Sequence, residues 1–148
     1  MTWQLKRFEA LTADELYNIL KERVDVFVVE QACPYPEVDG HDKVAYHLYQ
    51  EQNGEIIAYL RILPAGSPHP HLSIGRVLVK KNYRGQGMAT ELLQRALDFI
   101  QHELKETMVF IQAQEYLQEF YTSFGFQPIS ETYLEDHIPH LDMILSME

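Results

Sequence analysis

The sequence predicts an α+β (mixed α/β) fold, a mostly antiparallel central sheet flanked by helices. Three observations predict it. Asn53-Gly54 lies between two strand-like runs, residues 45–52 and 55–63, and supplies the positive φ values of a tight hairpin turn. Ala89, Leu92, Leu93, Ala96, Leu97 and Ile100 recur at helical spacing and define one long amphipathic helix. Other strand-like runs are separated sometimes by helical patterns and sometimes by turns, so strands and helices are interspersed without strict alternation. The 148 residues suit one domain over residues 1–148. A chain of that size buries roughly 68–70% of the surface it exposes when unfolded, enough for a core without disulfide or metal support.

Taken in order, residues 3–8 alternate apolar and polar side chains and form a first strand. Thr12-Ala13-Asp14-Glu15 has the form of a capping box: the Thr12 oxygen accepts from the third helical N–H and Glu15 reaches back. Leu16, Ile19, Leu20, Val24 and Phe27 follow at helical spacing, so the helix is expected to run to about Val28. Pro34 and Pro36 forbid continuous helix across residues 31–42, which are irregular. After the hairpin, residues 64–70 form a loop and residues 72–79 a third strand of that group. The long helix follows, then a strand over residues 107–111 and a helix over residues 114–124 stopped at Gly125. Residues 126–129 and 141–147 form closing strands.

Composition excludes several classes. Twelve Lys+Arg against 22 Asp+Glu leave a net charge of −10. Nucleic-acid binding needs a basic face and is disfavoured; a cationic partner is favoured. No apolar run reaches membrane-spanning length, and the first residues lack the apolar stretch of an export signal. With Cys33 as the single cysteine, no internal disulfide forms, and a reducing cytoplasm is the expected location. Cys33 has no cationic or histidine neighbour in the sequence and reads as a small apolar residue. His69-Pro70-His71 has no cysteine partners, so no metal is expected.

The segment most informative about chemistry is residues 77–89. A strand ends, a basic loop with two glycines follows, and a strong helix begins. Glycines let the backbone approach an anion closely, and a helix start adds free N–H donors and partial positive charge. Lys80, Lys81 and Arg84 concentrate positive charge there on an otherwise acidic chain. The pattern is therefore expected to cradle a polyanion. Gly85-Gln86-Gly87-Met88-Ala89-Thr90 lacks the third glycine of a dinucleotide fingerprint, and no Lys-Ser or Lys-Thr follows for a nucleotide-triphosphate loop. A nucleotide-dependent oxidoreductase is disfavoured on that ground.

Arg84-Gly85-Gln86-Gly87-Met88-Ala89 resembles the R/Q-x-x-G-x-G/A signature of the GNAT superfamily of N-acetyltransferases, with Ala89 in the last slot. Phe120-Tyr121-Thr122-Ser123-Phe124-Gly125-Phe126 is similar to the family's second segment, in the right order behind the first. The segments Phe27–Gln31, Pro34–Gly40, Leu60–Pro64 and Glu135-Asp136-His137-Ile138-Pro139-His140 resemble the ElaA-like branch, in which glycine is expected where His137 stands.

This resemblance implies a sheet splayed at a coenzyme site and acetyl-CoA as co-substrate, with no metal. It implies that Val77, Leu78 and Val79 flank the pantetheine arm, with Val77 and Val79 hydrogen-bonding it through their backbone. The N–H groups of Arg84, Gly85, Gln86, Gly87, Met88 and Ala89 would hold the pyrophosphate. Tyr121 matches the tyrosine beside the coenzyme sulfur, where a phenol can protonate a leaving thiolate. Gln114 falls where many members carry a coenzyme-binding Asn.

An amine acceptor must lose a proton before it attacks, and Glu37, Asp39, His41, Asp42, His47 and His140 are candidates to take it. Glu37, Asp39 and His41 are the first choice, as base or acceptor site, because they cluster in the irregular segment. Arg61 and Arg76 are expected in internal ion pairs. The resemblance implies a small-molecule amine or a peptide or protein amine as acceptor; many relatives dimerise, so a homodimer is an open expectation. The alternative activity on the same fold is non-catalytic: an acyl-CoA-binding sensor or partner-binding module.

Overall fold

The computed structural model describes residues 2–147. In chain order the elements are β1 (Thr2–Arg7), α1 (Ala13–Arg23), β2 (Tyr46–Gln52), β3 (Glu55–Leu63), β4 (Leu72–Val79), α2 (Met88–His102), β5 (Met108–Gln114), α3 (Gln118–Thr122), β6 (Gln127–Pro128), β7 (Tyr133–Glu135) and β8 (Ile138–Ser146). The strands form one sheet in the order β1-β2-β3-β4-β5-β8-β6, with β7 pairing to β8. Every pairing is antiparallel except β4 with β5. The fold is α+β, as the patterning predicts.

Local chemistry accounts for most boundaries. The Thr12 hydroxyl accepts from the Glu15 N–H at 3.0 Å and Glu15 Oε1 accepts from the Thr12 N–H at 2.9 Å, so the capping box opens α1. Asn53 and Gly54 take φ 51° and 77° and close the β2–β3 hairpin. Gly125 has φ 102°, and the Phe126 N–H reaches back to the Tyr121 carbonyl at 3.3 Å, which ends α3. A Cβ at Gly125 would stand 3.0 Å from Leu145 Cδ1, so space and backbone both select glycine there.

Three elements differ from the sequence reading. The first helix does not stop at Val28; beyond Arg23 it widens into a π-type helix over Val24–Glu30. The expected helix over residues 114–124 shrinks to α3 after a single tight turn, Glu115–Leu117, and Gln114 belongs to β5. Pairing to β8 runs through Gln114↔His140 and draws the strand out to that residue. The expected strand over residues 126–129 is only Gln127–Pro128, and β7 is an additional short strand. The β7–β8 turn holds Asp136 at φ 50° and His137 at φ 67°, the left-handed region a glycine would enter more freely.

Two apolar clusters cover the two faces. The larger places Leu92, Leu93, Ala96 and Ile100 of α2 against Leu60, Ile62, Val109, Ile111 and Met143. The smaller packs Ile19, Val26 and Phe27 on Tyr49, Ile56, Tyr59 and Leu78. Among the described residues no helix is long and apolar enough to cross a membrane.

Candidate active site

β4 and β5 share only two rungs, Leu72↔Val109 and Ser73↔Phe110, and then separate as β4 runs on to Val79 and β5 to Gln114. A parallel pair that parts leaves unpaired backbone donors and acceptors on both arms. β4 also carries a bulge. Its register with β3 passes from Tyr59↔Leu78 to Arg61↔Gly75, so Arg76 and Val77 stand opposite one β3 residue, and Arg76 has φ 52°. The gap opens into a cleft of 1250 Å³ whose wall includes Val77, Leu78, Val79, Gln114 and Tyr121.

The glycine loop forms one end of this cleft. Gly85 and Gly87 both have φ 79°, and a Cβ at either would meet nothing within 4 Å. Gly87 is the N-cap of α2, and no side chain caps that helix start. The first-turn N–H groups are therefore left for another acceptor. Arg84, Gly85, Gly87, Met88 and Ala89 line the cleft, whereas Gln86 does not.

The side-chain charge there differs from the expectation of a free cationic cluster. Lys80 Nζ is held by Glu22 at 3.0 Å, and the Arg84 guanidinium is held by both oxygens of Glu30 at 2.7 and 3.0 Å. Two of the three cations are thus spent on carboxylates that lie far away in sequence, and the backbone is the principal donor.

Tyr121, on α3, is 3% exposed and packs edge-on against Phe120 and Phe126. Its hydroxyl makes no hydrogen bond among the described residues, while the residue lines the cleft. Burial, with a smaller effect of Tyr116, pushes the phenol above its ordinary range, so it stays protonated.

Glu37, Asp39 and Asp42 form a network with three arginines. Arg23, fully buried, donates to Glu37 Oε2 at 2.6 Å and Asp42 Oδ1 at 2.7 Å. Arg61 donates to Asp39 at 2.9 and 2.5 Å and to Asp42 at 2.9 Å. Arg76 donates to Glu37 Oε2 at 2.8 Å and Asp39 Oδ2 at 3.3 Å. The Tyr35 hydroxyl also donates to Glu37. Arg61 and Arg76 are therefore ion-paired, as expected.

Burial opposes the charge on Asp39, but the Arg61 bond, the His41 N–H and the field of Arg76 outweigh it and hold the carboxyl well below its usual range. A carboxylate kept ionised by guanidinium groups is a weak proton acceptor. Asp39 and His41 line the cleft and Glu37 does not. His47 is enclosed, with Nε2 on the Asp42 carbonyl at 2.9 Å and Nδ1 on the Tyr59 hydroxyl at 2.7 Å. Burial pushes its pKa down and outweighs the pull of Asp42, so it stays neutral.

Gln114 faces Gln31, each amide donating to the other at 3.4 Å, across the cleft between β5 and the end of the π-type helix. Arg23 and Tyr35 went unrecognised in the sequence. A charged residue in the last turn of a helix has the pattern of a solvated one, and its partners lie 14 and 19 residues ahead. Among the described residues no three His, Cys, Asp or Glu side chains are grouped to hold a metal.

A family model for the acetyltransferase (GNAT) domain matches residues 14–147. Protein ElaA of Escherichia coli (strain K12) is 40% identical over 143 residues, 95% of this chain and 94% of that protein. An acyl-CoA N-acyltransferase from Pseudomonas aeruginosa has a crystal structure that superposes with a TM-score of 0.93 at 42% identity, covering 98% of this chain and 99% of that one. The crystal structure of Escherichia coli ElaA superposes with a TM-score of 0.92 at 39% identity, covering 99% of this chain and all (100%) of that one.

Proposed function

The chain belongs to the GNAT acetyltransferase family, and from that premise we propose that it transfers an acetyl group from acetyl-CoA to a primary amine by direct attack in a ternary complex. The observation that carries this reading is the parting of β4 from β5 beyond Ser73 and Phe110, with the glycine loop at one end of the gap and Tyr121 on its wall. The residues fit the coenzyme. An uncapped helix start and two left-handed glycines with open space at Cβ suit a pyrophosphate. The bulge at Arg76 and Val77 leaves backbone groups for the amides of a pantetheine arm.

When bound, acetyl-CoA supplies a thioester, whose carbonyl carbon is open to attack. The backbone of Val77, Leu78 and Val79 orients the arm along β4. A backbone N–H near Val79 faces the carbonyl oxygen as negative charge develops, an effect often worth ~3 kcal/mol. Tyr121 gives its phenolic proton to the departing sulfur. Arg84, with its side chain on Glu30, contributes mainly its backbone and the fixed shape of the loop. Gln114 frames the arm from β5. Asp39 and His41 form part of the acceptor wall and Glu37 braces it; Glu37 and Asp39, held by arginines, shape the site rather than accept the proton.

The acceptor class is a cationic amine, supported by the net charge of −10. The test is release of free coenzyme A thiol from acetyl-CoA with a panel of polyamines, aminosugars, amino acids and N-terminal peptides, with mass spectrometry of the product. Transfer to one amine class supports the reading. Tight acetyl-CoA binding with no transfer to any amine marks a sensor.

A further inference from the structure

His140 stands at the start of β8, directly across from Gln114, the last residue of β5. Its Nδ1 lies 2.7 Å from the Ile138 carbonyl oxygen. A carbonyl oxygen only accepts, so Nδ1 carries the proton and Nε2 is left with its lone pair. Nε2 has no partner among the described residues, and the residue lines the cleft.

The ring is fixed on its other side by Tyr133, at a centroid separation of 6.3 Å and an interplanar angle of 22°. Tyr133 in turn donates to Asp142 Oδ1 at 2.5 Å and accepts from Gln112 Nε2 at 3.2 Å. The charged groups around the ring are Asp142, already bonded to Tyr133, and Glu135 and Asp136 at the hairpin tip, which line the same cleft. Gln112 and Gln114 face it from β5 and carry no charge.

Strand alternation places this imidazole relative to Tyr121. Val109, Ile111 and Ala113 of β5 and Leu141 and Met143 of β8 belong to the cluster that contains Tyr121. Gln112, Gln114, His140 and Asp142 alternate with them and lie on the opposite face. A proton donor and a proton acceptor therefore flank the splayed strands from opposite faces. Of the other basic groups at the site, Glu37 and Asp39 are held by arginines and His47 through both ring nitrogens. His69 accepts the His71 N–H at Nδ1, so its Nε2 carries the proton. His41 lines the cleft too, but no hydrogen bond orients its ring among the described residues, whereas Nδ1 of His140 is anchored on Ile138.

We propose that His140 is the general base of the transfer reaction, a role that rests on the acyl-transfer reading above. Nε2 takes one proton from the acceptor ammonium R–NH3+. The freed nitrogen lone pair forms the C–N bond at the thioester carbonyl carbon, and the C–S bond breaks. The departing thiolate takes the Tyr121 proton. The second nitrogen proton returns through water to the Tyr121 phenolate, and the His140 imidazolium releases its proton to solvent. The sum is one amide, one free thiol and one proton.

The test uses two acceptors matched in size and opposed in basicity, methylamine and hydroxylamine, each with acetyl-CoA and the full chain at pH 7.5. Methylamine arrives protonated and needs a base; hydroxylamine arrives neutral, and the ammonium it forms on attack loses its proton to water. His140→Asn keeps a donor at the Nδ1 position for Ile138 and removes Nε2. The expected result is a loss of about 10²-fold or more in transfer to methylamine. Transfer to hydroxylamine and the acetyl-CoA Kd by calorimetry stay within about threefold.

Equal losses with both acceptors, or an unchanged methylamine rate, overturn the base. A His140→Asn protein that folds but no longer binds acetyl-CoA also overturns it, because His140 then serves the coenzyme. If the unsubstituted protein binds acetyl-CoA yet transfers to neither amine, the acyl-transfer reading fails and the base falls with it. Should His140→Asn not fold, His140→Gln is measured against the same outcomes.

Discussion

The Arg84 guanidinium grips both carboxylate oxygens of Glu30, at 2.7 and 3.0 Å, while its Nε donates to the Val79 carbonyl at 2.8 Å. One side chain thus ties the glycine loop to the end of β4 and to the π-type helix over Val24–Glu30. It also fixes a negative charge at the mouth of the cleft. Both partners are more than a third exposed, so the pair contributes little to stability, about 0.2–1 kcal/mol. Glu30→Gln removes the acid and releases the guanidinium towards an incoming polyphosphate. The expected outcome is acetyl-CoA affinity raised about two- to fivefold with little change in Tm. Calorimetric titration of both proteins checks it, and weaker binding in Glu30→Gln contradicts it.

Tyr121→Phe separates acid catalysis from packing. The Tyr121 hydroxyl has no internal hydrogen bond, so its removal breaks none, and the ring contacts with Phe120 and Phe126 survive. Turnover should fall by about 10²-fold or more, with the acetyl-CoA Kd within twofold. Full activity in Tyr121→Phe rules out the acid role.

The parts of this site that were legible in the sequence are those set by local chemistry. Thr12 and Glu15 are three residues apart, Asn53 and Gly54 adjacent, and the glycines of residues 85–87 abut the helix they start. Gln114 was misread because its conformation is decided by His140, 26 residues later, through a strand pairing that local periodicity does not record. The arginine network was half legible. Arg61 and Arg76 sit in strands, where burial implies a partner, whereas Arg23 sits in the last turn of a helix, where a cation has the pattern of a solvated one and its partners come from another segment. The sense of charge at the glycine loop was misleading for a related reason: Glu22 and Glu30 reach Lys80 and Arg84 from another element.

Gly87→Ala tests the loop backbone. At φ 79° a Cβ costs about 1–2 kcal/mol, even though nothing lies within 4 Å of it. Thermal unfolding should drop by about 2–8 °C, and acetyl-CoA affinity should weaken about tenfold. Unchanged affinity in a protein of lowered Tm separates the loop from coenzyme binding.

Glu15 makes stability depend on acid. Burial pushes its carboxyl up, but Lys6, the Thr12 N–H and the Tyr49 hydroxyl together pull it down to about 2. A carboxyl depressed in the folded state binds its proton first in the unfolded one. Its stabilisation is therefore complete above about pH 4.5 and is lost as the pH falls towards 2. The full span is of order 3 kcal/mol. Urea unfolding at pH 6 and pH 3 should show Glu15→Gln less stable by about 1–3 kcal/mol at pH 6, with that difference cut by about half or more at pH 3. A constant difference at both values contradicts the assignment.

Arg23→Met should be the most damaging of these substitutions. It leaves Glu37 and Asp42 short of a buried partner, at a cost of about 3–5 kcal/mol. Denaturant unfolding measures it; a loss below about 1 kcal/mol means that Arg61 and Arg76 hold the carboxylates unaided.

The most direct test of the central claim, that the gap between β4 and β5 binds acetyl-CoA, is a thermal-shift titration with acetyl-CoA, NADH and ATP in parallel. A ligand at 100 times its Kd stabilises by about 2.7 kcal/mol, which is about 5–10 °C for a chain of this size. A shift of that order with acetyl-CoA and none with NADH is the predicted result. A flat response to acetyl-CoA, or a larger shift with NADH or ATP, contradicts it.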